Sequence, residues 1–301
     1  ITDKNKAGFA IADFNNNNLD DIVFGTDENN LYLMYEGQTL APGFPFSGND
    51  KFRTAPVILK MAEQLIILAA SKNKTLYAIN TDGSENFSYV FDDYISSSIS
   101  ILDLEGNSTL IFVGLNNGDI YGLDLNGEIA FSYNINSKVV GTIVFSDMNS
   151  DMFPEIIATN DQGEMHAVKL DGLNYAFFPI NYDFPYSSTP IIEDLDMDGD
   201  LEIIGGTTNS LIVIDVKEEG ASHRFWNMYA ANNQRTNYYQ IDSFCINGDL
   251  DNSGSFDVSD IVLMVNCVLM QSCEECSDMN NDGIENVLDI IQLVNTVLGI
   301  D

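Results

Sequence analysis

Three regularities in this 301-residue sequence predict a mainly β chain with a small α-helical module at its end. One is a unit of about 45 residues that recurs through residues 1–242. The next is a set of acidic loops at the same place in several of those units. The last is a second, shorter duplication, 29 residues apart, within residues 243–301. A period near 45 built from short apolar strands predicts the blades of a β-propeller or of a propeller arc.

The long repeat is visible strand by strand. Leu31-Tyr32-Leu33-Met34 corresponds to Leu76-Tyr77-Ala78-Ile79, Ile120-Tyr121-Gly122-Leu123, Met165-His166-Ala167-Val168 and Leu211-Ile212-Val213-Ile214. Ahead of each lies an apolar run ending in small residues, as in Ile22-Val23-Phe24-Gly25, Ile111-Phe112-Val113-Gly114 and Ile203-Ile204-Gly205-Gly206. Continuous apolar runs imply strands covered on both faces, and Asp-Gly and Asn-Gly turns separate them. Five units are visible. They predict a compact five-blade ring, a piece of a larger ring, or an arc whose free edge pairs with a neighbour. Trp226-Asn227-Met228-Tyr229, followed by Gln234-Arg235-Thr236, resembles a signature near the end of some secreted bacterial propellers. It predicts a last outer strand and a tail packed across the ring.

Three units carry an acidic loop just before the apolar strand. They read Asp13-x-Asn15-x-Asn17-x-x-x-Asp21, Asp147-x-Asn149-x-Asp151-x-x-x-Glu155 and Asp194-x-Asp196-x-Asp198-Gly199-x-x-Glu202. Oxygen ligands at loop positions 1, 3, 5 and 9, with a backbone carbonyl at 7, suit one hard Ca2+ ion each. With these loops the repeats resemble the FG-GAP or VCBS repeats of integrin-α-like propellers, over about residues 6–230, where such loops hold calcium. Two units depart from the pattern. Asp103-x-Glu105-Gly106-Asn107 is shortened, and Lys60–Gln64 has lost all its acids but Glu63, so neither is expected to bind metal.

The terminal module carries two longer calcium loops. One places ligands at Asp249, Asp251, Ser253, Asp257 and Asp260, with Gly254 at the turn. The other places them at Asp278, Asn280, Asp282, Asn286 and Asp289, with Gly283 at the turn. Oxygen donors at positions 1, 3, 5, 9 and 12 around a glycine at 6 form a Ca2+ loop, so five ions are expected in all. A helix follows each loop, with apolar residues at i, i+3, i+4 and i+7. Ile261, Val265, Leu269, Ile290, Val294 and Leu298 are its expected mutual core. Loop plus exit helix, twice, resembles a dockerin domain, a family that docks onto a cohesin on another protein. Positions 10 and 11, where that family often carries partner-reading Ser/Thr pairs, are here Val258-Ser259 and Val287-Leu288. The partner surface is thus expected to be apolar, with Val258, Val287 and Leu288 partly exposed or covered.

Composition narrows the function. Forty-six acids against twelve Lys and Arg give a formal charge of −34. That argues against nucleic acid and against an anionic membrane surface. No apolar run is long enough to span a bilayer. Cys245, Cys267, Cys273 and Cys276 cluster in or beside the module and imply disulfides in an oxidising compartment. Three connectivities are open, with Cys273 or Cys276 nearest in sequence to Cys267. No catalytic signature is present. His166 fills the slot of Tyr32, Tyr77 and Tyr121 and reads as packing, and His223 has no partner in sequence. The expectation is a non-catalytic, secreted or cell-surface adhesion or scaffolding segment. Its expected partners are a cohesin-like protein, a second copy or an extracellular glycan. The alternatives are an appendage of a secreted hydrolase encoded upstream of Ile1, and a subunit of a surface layer or fibre.

Overall fold

The computed structural model describes residues 4–61, 64–104, 109–151, 153–221, 225–241, 248, 250, 256–270, 273, 277–280 and 284–298. The chain divides into two compact units, Ile1–Asp242 and Ser243–Asp301.

The first unit contains five sheets, each built on strands consecutive in sequence and paired antiparallel, the second gaining one parallel strand from residues 238–241. The first holds β1 (Phe9–Ala12), β2 (Asp21–Gly25), β3 (Asn30–Tyr35), β4 (Thr39–Leu40) and β5 (Phe46–Ser47). The second holds β6 (Val57–Met61), β7 (Gln64–Ala70), β8 (Thr75–Asn80) and β9 (Glu85–Val90). The third holds β10 (Ser100–Asp103), β11 (Thr109–Gly114), β12 (Asp119–Leu123) and β13 (Ile129–Asn134). The fourth holds β14 (Val139–Ser146), β15 (Glu155–Asn160), β16 (Glu164–Val168) and β17 (Ile180–Asn181). The fifth holds β18 (Ile191–Glu193), β19 (Asp200–Gly206) and β20 (Leu211–Glu219).

The repeated apolar runs of the sequence are the second strands of these sheets. Every residue of β11 and β15 is buried, which is why those runs do not alternate. Side chains lock neighbouring sheets face to face. Phe91 meets Tyr121 at 5.5 Å between the second and third sheets, and Phe112 meets Phe145 at 4.9 Å between the third and fourth. Between the first and second, Gly43 and Gly83 bring two backbones into contact. Both have positive φ, and a Cβ on Gly43 would overlap the carbonyl oxygen of Asp82.

Residues 225–241 hold the sheets to one another. Trp226 accepts a hydrogen bond from the Phe145 amide of β14, and Asn227 exchanges two with Ile192 of β18. Thr236 accepts one from Ile11 of β1, and Asn237 bonds both Phe9 and Ile58. The segment ends as β21 (Tyr238–Ile241), parallel to β6. Trp226 is buried and stacks on Tyr239 at 6.0 Å between ring centroids. One short segment therefore touches the first strand of the fourth, fifth, first and second sheets, so those strands lie around a common axis. This is a β-propeller arrangement. The tail expected from the sequence is present, whereas Trp226–Tyr229 forms no outer strand; β20 is the last strand of the fifth sheet.

The fifth sheet leaves an apolar face open, and the first leaves one apolar side chain exposed at its edge. On the fifth, Ile192, Ile203 and Ile212 are buried, while Val213 (52 %) and Leu211 (71 %) are exposed. On the first, Phe9 is 50 % exposed.

The second unit contains α1 (Val258–Met270) and α2 (Val287–Leu298). Its inward stripe differs from the expected one. Met264 and Leu293 are fully buried, Ile261, Val265, Ile290 and Val294 are half-buried, and Leu269 and Leu298 are exposed. The phase is set by Asp260 and Asp289, which are fully buried one turn earlier. A loop-closing carboxylate facing inward puts the residue four positions later inward as well. Val258, Val287 and Leu288 are exposed. Cys267 is disulfide-bonded to Cys273; Cys245 and Cys276 lie outside the described residues.

Candidate metal centres

The three propeller loops share one backbone design. Each joins the first strand of its sheet to the second: β1 to β2, β14 to β15 and β18 to β19. The residue at position 4 has positive φ in all three: Asn16 at 56°, Ser150 at 55° and Met197 at 63°. The position-1 aspartate then accepts amide hydrogen bonds from inside the loop. Asp13 takes those of Asn17 and Asn18, Asp147 takes that of Asp151, and Asp194 takes that of Gly199. The position-9 carboxylates, Asp21, Glu155 and Glu202, are buried. Each accepts the amide of position 2, from Phe14 (2.8 Å), Met148 (2.9 Å) and Leu195 (2.7 Å). Carboxylates thus close both ends of every loop around a small space.

The fit to a cation differs among them. It is best in the last loop, where oxygens of Asp196, Asp198, Asp200 and Glu202 all lie within 4.8 Å of one another. Asp198 and Asp200 are neighbours, and the Asp200 amide donates to Asp198. Their side-chain hydrogen bond pushes Asp200 up to about 6 and holds Asp198 below its usual value. The buried Oδ1 of Asp200 has no hydrogen-bond partner. Crowded carboxylates with an orphaned oxygen are what a hard cation neutralises. Asp194 stands outside this group of four and supports the turn through the amides of Met197 and Gly199. By loop position, Asp200 is expected to offer only its backbone carbonyl. The alternation Asp194, Asp196, Asp198, Asp200 in the sequence is the signal for its side chain.

In the middle loop, burial pushes Glu155 up to about 7, against the Met148 amide that favours its charge. Lys169 lies 3.8 Å from Asp151 and offsets part of the negative charge. Asn149 bonds Asp151 across the loop at 3.1 Å. The first loop fits a cation least well. Both oxygens of Asp21 take amides, from Phe14 and from Glu36, and Asn17 is bonded to the Glu36 side chain. Burial pushes Asp13 up, but the amides of residues 15–18 outweigh it and hold the carboxyl below its usual value. Asn15 adds a neutral oxygen, so this loop concentrates less charge than the other two. The hairpin at Met61–Gln64 is short; Glu105, Gly106 and Asn107 lie outside the described residues.

In the terminal module, Asp249, Asp251, Ser253 and Asp282 lie outside the described residues. Those that are described cap the helices. Asp257 accepts the amide of Ser259 while Asp260 accepts that of Asp257. Asn286 accepts the amide of Leu288 while Asp289 accepts those of Asn286 and Asn280. This is a reciprocal capping box at each helix start. In the second loop it also ties position 12 to position 3. Asp278 and Asn280 are half-buried beside it. Two buried carboxylates in one small unit suit a divalent ion that compensates them.

His166 is a packing residue. It is buried against Tyr133, 3.5 Å from Glu164, and burial pushes its imidazole below the usual value. His223 lies outside the described residues.

No protein-family model matches the chain, and no curated protein matches it in sequence. Solved structures to which it is similar include BBS1N crystallised in complex with ARL6DN, at 12 % identity and TM-score 0.49, over 65 % of this chain and 60 % of that one. The WD40 beta propeller domain of Doa1 is similar at 16 % identity and TM-score 0.48, over 66 % and 61 %. The computationally designed Ika4 protein is similar at 10 % identity and TM-score 0.40, over 53 % and 89 %. The chain matches about three fifths of the length of the first two.

Proposed function

We propose that this chain is a non-catalytic, extracellular, calcium-stabilised binding segment. The propeller presents the recognition surface, and the terminal module, dockerin-like in its duplicated loops and helices, docks or assembles it. The observation that carries this reading is the common design of the three propeller loops. Turn, buried closing carboxylate and position-1 cap recur in three separate sheets, and the last loop gathers four carboxylates. Calcium at these loops and at the two terminal ones fits the donor set, which is all oxygen. Millimolar calcium and the Cys267–Cys273 disulfide suit a secreted or cell-surface location.

Metal content of the dialysed full chain tests the reading. Up to five bound Ca2+ are expected, and the substitution Asp198→Asn with Asp200→Asn should remove one. A chain that holds no calcium at millimolar concentrations would refute it. Docking is tested separately with Val287→Asp and Leu288→Asp. Both residues are exposed, so association should be lost while calcium content stays unchanged.

Assembly into a layer or fibre is the second reading, favoured by the open apolar face of the fifth sheet and the exposed Phe9 of the first. Packing the fifth sheet of one copy on the first of the next would be heterologous and would propagate. Sedimentation with and without calcium tests it, and a monomer in both conditions would rule it out.

A further inference from the structure

The charge of this protein is unevenly placed. Acids outnumber bases 46 to 12, yet three of the twelve cations, Arg53, Lys72 and Lys138, line one cavity of about 310 Å3 with no acidic residue in its lining. Lys74 lies nearby, with its ammonium 5.1 Å from the ring centre of Tyr94, another lining residue. The cavity sits where the β7–β8 and β11–β12 hairpins meet the segments that lead into β6, β10 and β14. That is the opposite end of the strands from the acidic loops.

The cations are available. Arg53 uses its Nε on Asp27, which leaves the two terminal nitrogens of its fork. Lys72 and Lys138 are exposed and form no ion pair among the described residues. Two unpaired ammonium groups and the free nitrogens of the Asp27-paired Arg53 around one concavity attract an anion, and remote acids are screened beyond about 8 Å at physiological salt. The remaining lining is not that of a simple ion site. Tyr94 is half-exposed and offers an aromatic face. The hydroxyl oxygens of Thr54, Ser71 and Ser96 donate to backbone carbonyls and remain free to accept. The volume is at the small end of the ~300–1,000 Å3 usual for small-molecule pockets.

We infer that this cavity binds an acidic sugar unit of an extracellular polysaccharide. The carboxylate or sulfate would lie among Arg53, Lys72 and Lys138, the sugar face on Tyr94, and ring hydroxyls on Asn116 and the hydroxyl oxygens. An acidic peptide is the weaker reading, because aromatic and hydroxyl groups side by side match a polyol ring better than a bare side-chain acid. The inference deepens the proposed role of the propeller as a recognition surface by naming its ligand class.

The test is calorimetric titration of the full, calcium-loaded chain. Its probes are tetragalacturonate, a chondroitin sulfate tetrasaccharide, maltotetraose and tetra-aspartate. One or both acidic sugars should bind, and which one does identifies the acid as carboxylate or sulfate. The neutral sugar and the peptide should bind about tenfold more weakly or not at all. Lys72→Gln with Lys138→Gln should weaken the acidic sugar by about tenfold or more, since each removes a charge-assisted contact. Both side chains are exposed, so unchanged circular dichroism and calcium content are expected. Equal binding of maltotetraose or tetra-aspartate, no binding of either acidic sugar, or an unaffected double variant would overturn the inference. Calcium content measured on the same samples separates that failure from failure of the calcium reading.

Discussion

The two units of this chain reach order by different means. The propeller unit has buried side chains running through four sheets, a second cluster joining its first two, and a tail bonded to four first strands. The terminal unit has two helices in which, among the described residues, Met264 and Leu293 are the only fully buried apolar side chains. Asp260 and Asp289 are buried beside them. A large unit can bury enough apolar area to fold on that alone, whereas a unit of this size needs staples. On the proposed reading, calcium would be an accessory to the first unit and a condition of the second.

Chelation is the strongest way to break that contrast. Excess chelator should abolish the helical circular dichroism of α1 and α2 and leave the β signal in place. Equal loss of both would show that the propeller also depends on metal. Next in size is Trp226→Ala, which removes a buried ring from the segment that joins the sheets. A loss of about 3–5 kcal/mol is expected in denaturant unfolding of the propeller, with the calcium dependence of the helices unchanged. Removing the disulfide by Cys267→Ser with Cys273→Ser should cost the terminal unit about 2 kcal/mol, and more of that should show at low calcium. A propeller transition that moved with it would contradict the independence of the two units.

The most local effect concerns pH. In the chelated protein burial raises Glu155 to about 7, above its ordinary 4.5. The folded state then holds the proton more tightly than the unfolded chain. That stabilisation is complete below about 4.5 and is lost as pH rises through 7. The melting temperature of chelated wild type relative to Glu155→Gln should therefore fall between pH 5 and 8. A constant difference across that range would show that Glu155 does not titrate in the folded loop.

Much of this molecule was legible in its sequence because repetition multiplies a weak signal. One apolar run followed by a turn predicts little; five in register predict five sheets. The loops were legible for the same reason, since Asp13, Asp147 and Asp194 occupy one position in three sheets. Two features were not legible. The phase of the helices is fixed by the inward turn of Asp260 and Asp289, and a count of apolar spacings that omits carboxylates starts one residue off. The cation cavity draws Arg53, Lys72 and Lys138 from three separate connections, and only the fold brings them together.

The segment that reaches four sheets is also the last part of its unit to be synthesised. Each sheet is assembled from neighbouring strands and can form as it leaves the ribosome. Until Trp226 emerges, the first strands of the fourth and fifth sheets lack the bonds that Trp226 and Asn227 supply. The edge of β6 must wait still longer for β21. During that interval the nascent chain carries open strand edges and an uncovered interior, the kind of surface that holdase chaperones recognise. A stop codon placed just before Trp226 would prolong that state indefinitely, and the released product should aggregate even though every antiparallel strand, β1 to β20, is present.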